Sequence, residues 1–172
     1  MRSARTLSLI AAATLLSGWL AGAALERAAV VVRVWQTLGL EPWVRFDHGA
    51  VLRTGFTLEG FVGVAATALI FAAAASATFE RERETPVSLV IAGVASVLGL
   101  MFTAKAVALL QLLAASPAAA DLRPIFYQYL IWGVDFRAAA SVIAFVAVVW
   151  ELWGLRVAPA PAVSGRAPAP AE

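Results

Sequence analysis

Lys105 is the one lysine among 172 residues, and it stands inside the run VSLVIAGVASVLGLMFTAKAVALLQLLAA (residues 87–115), which is otherwise uncharged. A charge near the centre of a bilayer costs about 2.5–3.5 kcal/mol on insertion scales, so such a residue usually faces a partner or a wet cavity. Five more ionisable groups stand in or beside apolar runs: Glu26, Arg27, Glu59, Asp135 and Arg137. With Lys105 they make three acids and three bases, summing to zero. A carboxylate among them, Glu59 or Asp135, could remove a proton, and Lys105 or Arg137 could stabilise the anion left behind in a low-dielectric pocket. The same residues could equally form purely structural ion pairs, or Lys105 could snorkel along its stem to the headgroups.

Four apolar runs carry these groups. Leu7 to Leu25 follows a short start bearing Arg2 and Arg5. It reads as a retained first transmembrane helix, with a signal peptide cut near Ala21-Gly22-Ala23 as the other reading, because the run exceeds the usual 7–15-residue apolar region. The second span is Phe56 to Phe79, the third Val87 to Ala115 and the fourth Ile131 to Trp153, giving spans of about 7–25, 56–79, 87–115 and 131–153. Gly60, Gly63 and Thr67 on the second span, and Ala92, Ser96, Gly99, Thr103 and Ala106 on the third, recur three and four apart. That is the spacing of a small-residue seam along which helices approach closely, within the chain or against another copy in a homo-oligomer. The polar hairpin ERERETP, closed by Pro86, makes the second and third spans antiparallel neighbours. Ser116 to Arg123 reads as a loop, with a helical turn starting at Pro124. Residues 28–54 read as an interfacial lid of one or two short helices, with Trp35 and Trp43 at headgroup level. The Ala/Pro-rich stretch 157–172 reads as a disordered tail beyond a single domain over 1–156.

The expected fold is therefore all-α: a four-helix transmembrane bundle with an interfacial helical lid between helices 1 and 2. Antiparallel alternation brings the ends of helices 1 and 3 and the starts of helices 2 and 4 to one end of the bundle. The six ionisable groups named above then gather there, and the hairpin end is expected to hold none between its helices. The expected site is a polar cavity lined by Glu59, Lys105, Asp135 and Arg137, bordered by Glu26 and Arg27, and roofed by lid residues Trp43, Arg45, Asp47 and His48.

Composition narrows the function. Hydrophobic residues are 62% of the chain, charged residues 14%, and the mean hydropathy is +0.84; a soluble domain carries about a quarter charged residues. The net charge of +2 is scattered rather than clustered, which argues against a nucleic-acid partner. With no cysteine and only His48, disulfides, thiol chemistry, iron–sulfur clusters and multi-histidine metal sites are excluded within one chain, so neither a metal nor a cofactor is expected. The excess of arginine over lysine fits a GC-rich bacterial genome and hence a bacterial inner membrane. Arginines divide six to five between the two sides, a slight lean towards both termini inside.

SGWLAGAAL in the first helix, LGLEPWVRFDH after it and WGVDFR opening the last helix together resemble the anthrone-oxygenase-like family of small four-helix membrane proteins, over roughly residues 8–152. The resemblance carries over Trp132 and Arg137, with Asp135 where the family more often has an amide or imidazole. It implies a cofactor-independent oxygenase or oxidoreductase acting on a hydrophobic, aromatic substrate. The residues by themselves point more broadly, to an integral membrane protein that binds a lipid, a small hydrophobic molecule or a membrane partner near the polar cluster. Transport has less support, since no broken-helix pair or inverted repeat is present.

Overall fold

The computed structural model describes residues 3–31, 34, 37, 50–81, 86–115 and 119–157. Among these every residue but Ser3 and Pro86 is helical. Helix α1 runs Ala4–Glu26 and continues into a π-helical turn, Arg27–Val31. Helices α2 (Ala50–Arg81) and α3 (Val87–Ala115) come next, then a short α4 (Ala119–Gln128), a π-helical segment Tyr129–Asp135, and α5 (Phe136–Val157). Four stretches are long and apolar enough to cross a membrane: Ala4–Val30, Thr57–Glu80, Val87–Leu113 and Leu122–Gly154. That is consistent with a multi-pass membrane protein.

Local chemistry explains the helix ends. Ser3 caps α1 by accepting the Thr6 N–H at 3.3 Å. Pro86 opens α3, its carbonyl accepting from the Leu89 and Val90 amides at 3.0 and 3.2 Å. Two boundaries depart from the sequence reading. Helix α2 starts at Ala50 rather than Phe56, because the segment before the second apolar run contains no helix breaker after Gly49 except Gly55. Residues 119–123 are helical rather than a loop, since Pro124 lies inside α4 instead of opening it. Of the expected lid over 28–54, residues 28–31 belong to the π-helical turn after α1, Val34 and Thr37 are helical and residues 50–54 belong to α2, while the rest, Trp43, Arg45, Asp47 and His48 among them, lie outside the described residues, as does the stretch after Val157.

The long helices pack in the cyclic order α1–α2–α3–α5, each against the next and α5 back against α1. The small-residue seams turn inwards. Ala92 and Ala106 are buried on α3, and a Cβ on Gly99 would stand 3.8 Å from that of Ala140 on α5. Thr67 on α2 donates to the Gly63 carbonyl at 2.8 Å, so the 2.5 Å contact between Thr67 and Ser96 is donated by Ser96. Seams used within the chain in this way need no second copy to satisfy them.

Two apolar clusters fill the interior. Ile10, Ala13, Ile70, Ala73, Leu89, Ala92, Ala147 and Val148 form a layer towards the hairpin end. A second cluster, including Ala106, Leu109, Leu122, Phe126, Tyr129 and Val134, joins the end of α3 to α4 and the π-helical segment. Leu122–Gly154 would reach about 50 Å as one straight helix, against a hydrocarbon core of about 30 Å. This second cluster is where the excess length folds up. Its tightest point is Gly133, where a Cβ would meet the Ala106 Cβ at 2.8 Å and the Tyr129 ring at 2.9 Å.

Because the Ala106 methyl is fixed to its helix, Gly133→Ala should destabilise the protein by about 1–3 kcal/mol through overpacking. Gly154→Ala, with nothing within 4 Å of the new methyl, should be close to neutral. Thermal unfolding of the two variants in mild detergent, side by side, measures the difference.

Candidate functional site

Arg27 ends α1, Glu59 stands in α2 and Arg137 is the second residue of α5. The antiparallel packing brings the three together. The Arg27 Nη2 donates to Glu59 Oε1 at 3.0 Å and the Arg137 Nη1 donates to Glu59 Oε2 at 2.6 Å, so each carboxylate oxygen carries its own guanidinium. Arg27 is 7% exposed and Arg137 5%. Both arginines adjoin π-helical backbone, Arg27 as the first residue of Arg27–Val31 and Arg137 two residues beyond Tyr129–Asp135. An extra residue in a turn rotates the chain beyond it by about 100° relative to a continuous α-helix. Such bulges recur at functional sites because they re-aim side chains at little cost in hydrogen bonding.

Beside Glu59 and Arg137 lies a cavity of about 40 Å³ between α1, α2, α3 and α5. One water needs roughly 10–15 Å³ of such space, so the cavity holds about three, or a polar group of similar size. Its walls carry Ser17, Ser96, Thr103 and Ser141 among aliphatic neighbours such as Leu20 and Leu100. Thr103 donates to the Gly99 carbonyl at 2.8 Å and Ser141 to the Arg137 carbonyl at 2.9 Å, which leaves their oxygens able to accept. Ser17 differs. It is 3% exposed, it lines the cavity, and its hydroxyl has no hydrogen-bond partner among the described residues. Further towards the hairpin lies the apolar layer of Ala13, Ile70, Ala92 and Val148.

Of the described residues the sequence singles out, the structure unites Arg27, Glu59 and Arg137 and leaves Glu26, Lys105 and Asp135 apart. Lys105 is exposed and lies over the Trp132 ring, its Nζ 3.9 Å from the centroid, rather than against Glu59 or Asp135. Asp135 and Glu26 are exposed, and neither has an ion pair or hydrogen bond from its side chain among the described residues. Neither Lys105 nor Asp135 lines the cavity. The expected roof of Trp43, Arg45, Asp47 and His48 lies outside the described residues. No group of acidic and histidine side chains able to hold a metal occurs among the described residues.

The sequence pattern also left unmarked several residues that the structure uses. Thr6, Ile10, Ala13, Ser17, Ala21 and Ala24 are the buried residues of α1; they recur three and four apart, the same pattern as on α2 and α3. The hairpin end is not free of ionisable contacts between helices either. Glu80 accepts from Thr6 at 2.6 Å and from the Ser3 backbone at 3.0 Å, while Ser76 donates to Thr6 at 2.6 Å. Glu151 on α5 accepts from the buried Ser88. Charges at helix ends read as headgroup contacts in sequence, and only the packing shows these two hydrogen-bonded to a neighbouring helix.

No family model, curated protein or solved structure matches the chain.

Removing one partner of a buried, hydrogen-bonded ion pair typically costs about 3–5 kcal/mol, because the other charge stays buried. Glu59→Gln should lose stability on that scale, and Glu80→Gln, at an exposed position, should lose less. The thermal midpoints of both variants in detergent provide the comparison.

Proposed function

We propose that this chain is an integral membrane binding protein that holds the polar group of a lipid or small hydrophobic molecule in the cavity beside Glu59 and Arg137. The observation that carries this reading is the cavity itself, which sets the hydroxyl-bearing side chains of Ser17, Ser96, Thr103 and Ser141 beside Glu59 and Arg137 in an otherwise apolar interior. A ligand group that hydrogen-bonds these hydroxyls takes the place of the water the cavity would otherwise hold. The walls offer the Ser17 hydroxyl and the Arg137 guanidinium as donors and the Thr103 and Ser141 oxygens as acceptors. A hydroxyl, carboxyl or amide group meets that set, with the aliphatic part of the molecule against Leu20 and Leu100. The buried apolar layer on the hairpin side supports holding over conduction along the bundle axis.

The enzymatic alternative, a cofactor-independent oxygenase, needs a base at the site. Both Glu59 oxygens already accept from arginine, and Asp135 is exposed rather than part of the cavity wall. Those two observations favour binding over proton abstraction.

Purification in mild detergent, with mass spectrometry of co-purifying small molecules, tests the proposal. The wild-type chain should retain one class of molecule, and Ser17→Ala should retain it about tenfold less firmly, equivalent to about 1.4 kcal/mol. A wild-type preparation carrying no such molecule, or equal retention by the folded variant, would count against it.

A further inference from the structure

We infer that Lys105 and Trp132 form a site on the outer flank of the bundle for the phosphate of an acidic phospholipid. Lys105 is exposed on α3, and its described contact is with the Trp132 face, 3.9 Å from Nζ to the ring centroid. No described carboxylate lies within ion-pair distance of it. A cation over an indole keeps its outward hydrogen atoms free to donate, because the ring engages one face of the ammonium.

Depth fixes what can meet it. Pro86 opens α3 at the hairpin, and Lys105 stands 18 residues beyond Val87, about 27 Å along the axis. With the hairpin at one boundary of a core about 30 Å thick, the ammonium reaches the opposite boundary, at the level of lipid phosphates. Below and beside it the surface is aromatic. Trp132 stacks on Phe136 at 5.0 Å, and Phe102 stands 5.8 Å from Trp132 and 5.7 Å from Phe136. Phe136 is 47% exposed. A positive head over an apolar aromatic wall complements a phosphate over an acyl chain. Asp135, exposed on the same π-helical segment as Trp132, carries the opposite charge and sets the preference between headgroups by repelling surplus negative charge.

This site lies apart from the interior cavity and does not rest on the function proposed for it. Because Lys105 is the one lysine in the chain, its charge can be removed after folding by amine-selective acetylation, with the modified position verified by peptide mass spectrometry. The full chain is placed in nanodiscs of equal phosphatidylglycerol and phosphatidylcholine, extracted gently, and its retained lipids are counted by native mass spectrometry. The unmodified protein should retain phosphatidylglycerol at least threefold over phosphatidylcholine. Acetylated protein and Lys105→Gln should show no preference, and Lys105→Arg should keep it. Millimolar inorganic phosphate should leave the retained lipid in place. Equal retention of the two lipids by the unmodified chain, an unchanged preference after acetylation, or displacement by inorganic phosphate would each overturn the assignment.

Discussion

A single carboxylate, Glu59, ties three of the four long helices together at one level. With Arg27 on one oxygen and Arg137 on the other, α1, α2 and α5 cannot slide or rotate past one another without stripping a buried ion of a partner. In lipid this constraint carries more than it would in water. Lipid tails are as apolar as leucine, so burial of apolar surface does little to choose between helix arrangements, and packing and polar contacts decide instead. The buried pair is weak evidence for extra stability as such; its effect lies in register.

A second polar layer sits at the other end, where Glu80 meets Thr6 and Ser76 and where Glu151 meets Ser88. Along α2 the step from Glu59 to Glu80 is 21 residues, about 32 Å, and along α3 the step from Ser88 to Lys105 is 17, about 26 Å. These distances match a hydrocarbon core of about 30 Å. The polar contacts therefore bracket an apolar slab, within which small residues let the backbones approach and the hydroxyls of Thr67 and Ser96 join α2 to α3. The cavity opens off the Glu59 layer, so that it belongs to one end of the bundle.

The two π-helical stretches explain how the arginines arrive where they do. Arg27–Val31 and Tyr129–Asp135 each break the α-helical phase next to an arginine. The second does so where the chain also packs Gly133 onto Ala106 and folds α4 back against α3. The chain beyond the bilayer-length bundle thus acts on the site, setting the rotation of α5 at the point where Arg137 begins.

Four apolar runs, a short hairpin and seams of small residues were enough, as sequence, to establish an all-helical bundle with four helices of membrane-crossing length and with charges near one end. Those features are local: they depend on run length, on spacing of three and four, and on the loop between α2 and α3. The α1 seam through Thr6 and Ser17 was legible by the same rule. Partner choice was not. Glu59 and Arg137 lie 78 residues apart, and whether Glu59 meets an arginine or Lys105 depends on the rotation of each helix about its axis. A π turn changes that rotation by about 100° with no mark in the hydrophobic pattern. Tertiary structure alone turned Lys105 outwards onto Trp132, set Glu59 between two arginines, and left the Ser17 hydroxyl facing an interior space, because each outcome depends on phase between helices and none on the composition of any one of them.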